Sequence, residues 1–305
     1  MLNKTIYDEL AKRGYASRLV SVAHLAGLRR DIEVVYEQNI LGDGIRKYVM
    51  NRFDFTLPED FANAASILIT AAQSPIVKIF FNYQGKRTPI IIPPTYVEIN
   101  NTDEQIINLV KNIPGLSDYR LVKARLPEKL LAVRSGLGAY GRNNICYIPG
   151  LGSFMMLESF FTDIPCEEDN WHPLKMMDAC GKCTICAKMC PAGAIAEGKD
   201  VINAERCITY YNEDDGVFPD WLDPSWHNCI VGCLLCQRAC PANKDYLTRI
   251  VEGGEFSEAE TEKLLRNIPM ASLPPATRDK LARLNMCEYY SCLPRNLQAL
   301  LSKTG

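Results

Sequence analysis

At 305 residues, 47% of them hydrophobic, the chain can bury a sizeable core, enough for two lobes. Its 34 basic and 36 acidic residues leave a net charge of −2, without the broad basic footprint that nucleic-acid backbones demand. No stretch approaches ~20 uninterrupted apolar residues, so no membrane span is expected. The opening MLNKTIYDELAKRGYASRLV also lacks the apolar core of a secretory leader.

In chain order, residues 3–26 read as two short helices broken at Gly14, with Ile6, Leu10 and Ala11 on one apolar face. Residues 31–49 keep a helical register until Gly42 and Gly44 interrupt it. Ser66–Ala71 and Ile76–Phe81 are β-rich apolar runs between turn residues, the pattern of buried strands. Thr88–Ile92 follows a turn at Tyr83–Lys86, and Pro89, which has no amide proton to donate, makes it an edge strand. Asp103–Ile113 carries Ile106, Leu109 and Val110 at helical spacing, with Asn101 or Thr102 as its cap. Tyr119–Ala124 is strand-like, and a helix from Pro127 stops at Gly136. Asn144–Ile148 and Phe154–Phe161 are two further strands, joined by a Pro149-Gly150 turn. Beyond residue 245 the pattern is helical. Ser257–Leu265 opens on a Ser-x-x-Glu capping box, and Pro274–Leu284 and Arg295–Leu301 follow. The expected architecture is α+β in three consecutive parts: an α/β lobe over 1–165, a loop-rich segment over 166–245 and a helical segment over 246–305.

The middle part holds the strongest signal. It begins Cys180-x2-Cys183-x2-Cys186-x3-Cys190-Pro191, the spacing of bacterial ferredoxins, in which three closely spaced thiolates wrap one [4Fe–4S] cube and the fourth cysteine ligates another. A second run, Cys233-x2-Cys236-x3-Cys240-Pro241, supplies the partner, but Ile230 stands where its leading cysteine belongs. Crossed pairing gives Cys180, Cys183, Cys186 and Cys240 to one cluster. Cys190, Cys233 and Cys236 go to the other, completed by Cys207 or Cys229. Zinc sites do not use a doubled x3-Cys-Pro ending, and disulfide frameworks belong to small secreted chains. Thirteen cysteines point instead to metal use in a reducing cytoplasm. With Cys207 as ligand, Cys146, Cys166, Cys229, Cys287 and Cys292 are left over, and most of these are expected as small buried hydrophobes.

Gly136-Leu137-Gly138-Ala139-Tyr140-Gly141 is literally G-x-G-x-x-G. A dinucleotide fingerprint needs a strand before it and a helix after it. Here a helix precedes and a strand follows, so the glycines read as a turn that lets backbone approach a large flat cofactor. His24-x-x-Gly27 has half of a motif that donates histidine to the cobalt of cobalamin. Val22 stands where its aspartate belongs, and helix packing is the simpler reading for His24. His172 and His227 each adjoin a tryptophan near the cysteine runs, within range of a hydrogen bond to sulfur but equally explained by packing.

The runs Arg134–Arg142 (RSGLGAYGR) and Gly152–Asp163 (GSFMMLESFFTD), followed by the two cysteine runs, resemble epoxyqueuosine reductase. The resemblance covers residues 118–245 well, the segment to Leu301 more loosely and the first hundred residues only in general character. That family joins a base-off cobalamin lobe to a two-[4Fe–4S] module, an architecture shared with reductive dehalogenases. The resemblance implies an α/β corrinoid-binding lobe, a ferredoxin-like module and two [4Fe–4S] clusters with cobalamin as cofactors. It also implies a cytoplasmic reductase fed by an external low-potential donor of the ferredoxin or flavodoxin type. It favours Cys207, which follows Glu205-Arg206, over Cys229 as the eighth ligand. Arg134, Gly136, Gly138, Gly141, Gly152, Ser153 and Phe154 would face the corrin.

Departures from the family shift the expected substrate. By spacing, Val122 stands at the family's proton-donating aspartate, Ala139 at its Trp and Arg142 at its Lys. Tyr140 becomes the candidate proton donor, with Arg142 able to lower its pKa. The family's Gly-Arg-Asp-Tyr-His type of segment is not recognisable, and the family's C-terminal helical repeats, which would start at about Pro294–Leu297, are expected to be missing. A small-molecule or nucleoside-like substrate is therefore expected and tRNA is a doubtful one. The competing expectation is an electron-transfer protein that reduces a partner enzyme or corrinoid protein.

Overall fold

The computed structural model describes residues 2–37, 51–97, 103–196 and 201–302. The helix break expected at Gly42 and Gly44 and the cap expected at Asn101 or Thr102 lie outside the described residues. In chain order the main elements begin α1 (Leu2–Ala11), β1 (Tyr15–Ser21), α2 (Leu25–Glu37), β2 (Ser66–Gln73), β3 (Ile76–Tyr83) and β4 (Lys86–Ile92). They continue α3 (Asp103–Lys111), β5 (Leu121–Lys123), α4 (Glu128–Arg134), β6 (Ala139–Tyr140), β7 (Cys146–Tyr147) and β8 (Met155–Thr162). From the cysteine segment onward come α5 (Ile185–Lys188), α6 (Ile208–Glu213), α7 (Leu235–Arg238), β9 (Ile250–Phe256), α8 (Glu258–Leu265), α9 (Pro275–Arg283) and α10 (Leu293–Leu301).

These elements form two compact units that interleave along the sequence. The first takes Met1–Gln73, Ile99–Thr184 and Lys199–Glu205; the second takes Ser74–Glu98, Ile185–Gly198 and Arg206–Gly305. Residue 165 therefore falls inside the first unit, and Cys180 and Cys183 belong to a different unit from the other six cysteines of the expected ligand set.

The first unit is built on a sheet in the order β1-β2-β8-β5, every neighbouring pair antiparallel. Side chains alternate across a sheet, so each strand can feed two cores. Ile67, Ile69, Ala71 and Phe161 share one core with Leu28 of α2 and Leu130–Val133 of α4. Leu68, Ala72 and Phe160 share the other with Ile6 and Leu10 of α1 and Ile106 and Val110 of α3. Covered on both faces, β2 shows a nearly unbroken apolar run. The two helices expected over residues 3–26 are in fact a helix and then a strand. Gly14, at φ 84°, ends α1, and Tyr15–Ser21 pairs with β2 through its full length. Tertiary pairing overrides the helical pattern of this polar stretch.

In the second unit β3 lies between β4, antiparallel, and β9, parallel. Pro89 is exposed on edge strand β4, where a missing donor costs no ladder bond. Strand β9 corrects the expectation that everything beyond residue 245 is helical. Gly253 lets β9 lie close to its neighbours, since a Cβ there would meet Val77 Cγ1 at 2.6 Å and Leu284 Cδ2 at 2.8 Å. Phe256 at its end stacks on Phe81, with ring centroids 4.7 Å apart. The capping box of α8 forms: Ser257 Oγ accepts from the Glu260 amide and the Glu260 carboxylate accepts from the Ser257 amide. Among the described residues no helix is long and apolar enough to cross a membrane.

Candidate metal centre

Three cysteines from three separate segments of the second unit come together: Cys190 after α5, Cys207 at the start of α6 and Cys233 just before α7. Two of the thiols feel their neighbours. Burial raises the Cys207 thiol, hydrogen bonds from Thr209 oppose this, and the Cys190 charge adds to the rise. Burial also pushes the Cys233 thiol up to about 11; Asn228 and the Leu235 amide pull it down, and Cys207 and Cys190 push it further up. Repulsion of this kind is what iron relieves, because a cluster takes its cysteines as thiolates and releases their protons. Cys186 lies on α5 and Cys236 on α7, helices that pack against each other, and Cys240 follows α7. Among the described residues no three His, Cys, Asp or Glu side chains converge on a single-ion site. A four-iron cube spaces its thiolates more widely than one ion does.

Cys229 is linked to this group through the Asn228 amide. It is 1% exposed, and its thiol donates to Asn228 Oδ1 at 3.1 Å. Asn228 uses the rest of its amide to hold the run in shape: Oδ1 accepts from the Leu234 amide at 2.9 Å and Nδ2 donates to Cys233 Sγ at 3.3 Å. The Cys229–Cys233 loop is pinned from behind. Asn212 Nδ2 donates to the Gly232 carbonyl at 2.8 Å, and Asn296 Nδ2 donates to the carbonyls of Ile230 at 2.9 Å and Asn212 at 2.8 Å. Arg206 Nε donates to the Ala192 carbonyl at 3.1 Å, tying the loop after Cys190 to the segment that carries Cys207, while its guanidinium lies over Trp221. Of these polar residues the sequence marks only Arg206, as part of the Glu205-Arg206 pair before Cys207. Asn228 shares that adjacency to a cysteine; Asn212 and Asn296 carry no signal, because their partners are distant in sequence. A cavity of about 360 Å³ opens beside this group, lined by Lys188, Met189, Pro191, Trp226, His227 and Asn228.

In the first unit Cys180, 8% exposed, precedes a short turn that brings the Cys183 amide back to the Cys180 carbonyl at 3.3 Å. Arg142 spans this turn. Its Nε donates to the Cys183 carbonyl at 2.9 Å, and its Nη2 donates to the Cys180 carbonyl at 2.7 Å and the Gly181 carbonyl at 3.4 Å. Arg142 is therefore not placed as expected. The groups acting on Tyr140 are burial first, then Cys146 and Asp31, which raise its pKa well above the ordinary tyrosine value, and Arg134, which opposes them. Tyr140 keeps its proton because its surroundings hydrate a phenolate poorly, and Arg142 is not among the groups that act on it.

The glycine turn before Arg142 has a local explanation for each glycine. Gly136, at φ 71°, closes α4 in a Schellman arrangement, with the Gly136 amide on the Val133 carbonyl and the Leu137 amide on the Ala132 carbonyl. The space a Cβ would take at Gly136 is filled by the His172 ring, and at Gly138 by the Tyr147 carbonyl at 2.7 Å and Cys146 Sγ at 2.8 Å. At Gly141 the Tyr147 ring stands 2.5 Å away. Arg134 is held by Asp31 through two hydrogen bonds, 2.7 and 2.5 Å. Gly152, Ser153 and Phe154 are buried, Phe154 completely. Of the seven residues expected to face a corrin, only Gly136 is exposed, with Gly138 half-buried alongside Ala139 and Tyr140. His24 is also accounted for: its Nε2 lies 2.8 Å from Asp169 Oδ2 and its ring stacks on Trp171. His227 is buried against Phe218.

Residues 179–243 match the protein family described as a 4Fe-4S double cluster binding domain. An epoxyqueuosine reductase from Staphylococcus aureus is 35% identical over 119 residues, which is 39% of this chain and 30% of that protein. The match thus spans under a third of that relative's length. The solved epoxyqueuosine reductase from Streptococcus thermophilus covers 100% of this chain and 82% of its own, with a TM-score of 0.65 at 20% identity. An epoxyqueuosine reductase solved with an epoxyqueuosine-modified tRNA-Tyr stem loop covers 91% of this chain and 82% of its own, with a TM-score of 0.56 at 18% identity. The chain is similar to the epoxyqueuosine reductases, in fold along its length and in sequence over 119 residues, and residues 179–243 are similar to a domain that binds two [4Fe–4S] clusters.

Proposed function

We propose that this chain is a cytoplasmic oxidoreductase of the epoxyqueuosine reductase type. Electrons from an external low-potential carrier, a ferredoxin or flavodoxin, would pass through two [4Fe–4S] clusters to a base-off cobalamin. The observation that carries the reading is the gathering of Cys190, Cys207 and Cys233 in a chain whose fold follows those enzymes. We assign Cys190, Cys207, Cys233 and Cys236 to one cluster and Cys180, Cys183, Cys186 and Cys240 to the other. The cavity beside Cys190 offers the carrier an approach to the first of these.

Cobalamin, when bound, would supply a reducible cobalt and with it the chemistry that side chains cannot perform. The residues of the glycine turn fit such a group only at the rim formed by Gly136, Gly138, Ala139 and Tyr140. Tyr140, held protonated by burial, can offer a hydrogen bond or a proton there. Arg134 serves the rim indirectly by fixing α2 to the end of α4 through Asp31. The net charge of −2 argues against tRNA, while the likeness to an enzyme solved with a tRNA stem loop supports keeping tRNA as a substrate class beside a free nucleoside-like molecule.

A second reading, an electron-transfer protein serving a partner enzyme or corrinoid protein, is favoured by one observation: most of the residues expected at the corrin are occupied by the unit's own packing. Titration of the anaerobically reconstituted, dithionite-reduced chain with hydroxocobalamin, which brings the cobalt to the EPR-active Co(II) state, separates the two. A base-off cobalamin EPR signal, followed by turnover of epoxyqueuosine in tRNA or as the free nucleoside, upholds the reductase. Full cluster content with no corrin bound upholds the carrier.

A further inference from the structure

The hydrogen bonds between Gly-Ala-Tyr-Gly-Arg and the first cysteine turn are more numerous than a passing contact requires. The Tyr140 amide donates to the Lys175 carbonyl at 2.8 Å and the Met177 amide donates to the Tyr140 carbonyl at 2.8 Å. Two residues later the Arg142 guanidinium takes the carbonyls of Cys180, Gly181 and Cys183. Backbone and side chain thus grip one segment, Lys175–Cys183, at both ends. Two of the three carbonyls on the guanidinium belong to the cysteines themselves.

We propose that Arg142 is a positioning residue for the cluster ligated by Cys180 and Cys183, fixing their turn and raising that cluster's reduction potential. Reduction adds one negative charge to a cluster, so a nearby permanent cation favours the reduced form. Arg142 is half-buried and always charged, and its fork matches paired carbonyls. The other charges on this segment are screened by water: Lys175 and Asp178 form an exposed pair 3.5 Å apart, and Lys182 is exposed. The inference rests on the cluster assignment of Cys180 and Cys183 and not on cobalamin. It also gives the glycine turn a role that its local packing supports.

The test is an EPR-monitored redox titration of the anaerobically reconstituted full chain, without corrin or substrate, beside R142Q and R142K. R142Q should keep about eight irons. One of its two midpoints should fall by about tenfold in the reduction equilibrium, 59 mV for a one-electron couple, with the other cluster unmoved as an internal reference. R142K, which keeps the charge, should restore most of that potential. Should R142Q lose iron, R142K retaining full iron and the original midpoint upholds the proposal. Unchanged midpoints in R142Q, an equal shift in R142K, or iron loss in both variants overturns it. An unaltered chain that takes up no cluster iron would defeat the cluster assignment itself, a separate result.

Discussion

Replacing Glu260 with Gln should destabilise the second unit by an amount that depends on pH. Glu260 sits at the third position of α8 and accepts from Lys280 Nζ at 2.9 and 2.7 Å, Thr277 Oγ1 at 2.9 Å and the Ser257 amide at 2.8 Å. Burial alone would raise its carboxyl, but these donors overcome burial and hold it at about 2, against an ordinary 4.5. A carboxyl held that low contributes about 3 kcal/mol at neutral pH. Because the folded value is depressed, the contribution is full above the unfolded value and fades as pH falls toward the folded one. By about pH 3 less than half remains. Gln keeps an acceptor for the Ser257 amide, so the substitution removes the charge and the bonds to Lys280 and Thr277 while leaving the capping box. Thermal unfolding of the holoprotein should show E260Q melting about 6–12 °C below the unaltered chain at pH 7, at about 2–4 °C per kcal/mol, with the gap closing steadily toward pH 3. Equal melting at pH 7, or a gap that stays constant from pH 7 to pH 3, would refute the reasoning.

Three further outcomes follow from particular side chains. Gly138→Ala should cost about 1–3 kcal/mol, since its Cβ would meet the Tyr147 carbonyl at 2.7 Å, measured by denaturant unfolding. Gly27→Ala, in open space on α2, should instead stabilise by up to about 1 kcal/mol, and equal effects at the two sites would contradict the packing seen at the turn. Cys166, pushed up to about 11 by burial and by Asp169, should react with iodoacetamide at pH 8 about a hundredfold more slowly than an ordinary thiol; mass spectrometry of the labelled chain reads this.

The cysteine runs were legible because ligand spacing is itself a statement of geometry: two short loops and a proline can only converge in a few ways. Pro89 and the Ser257 capping box were legible for the same reason, each being a local rule with one physical outcome. The glycine turn was not. A glycine needed for close packing and a glycine needed for a ligand look alike in sequence, and here His172, Tyr147 and Cys146 fill the space. Strand β1 was hidden because its pairing with β2 is decided by tertiary contact, and β9 because its two glycines leave no period to read. The interleaving of the two units, and the grip of Arg142 on a turn 38 to 41 residues away, depend on topology that no local pattern carries.

The central claim is that two clusters form with Cys207 as the eighth ligand. Iron and sulfide should be counted on the anaerobically reconstituted chain, on Cys207→Ser and on Cys229→Ser. Two clusters predict about eight irons for the unaltered chain and for Cys229→Ser, and about four for Cys207→Ser. Eight irons in Cys207→Ser with a loss in Cys229→Ser would contradict the ligand assignment, and far fewer than eight in the unaltered chain would contradict the two-cluster reading.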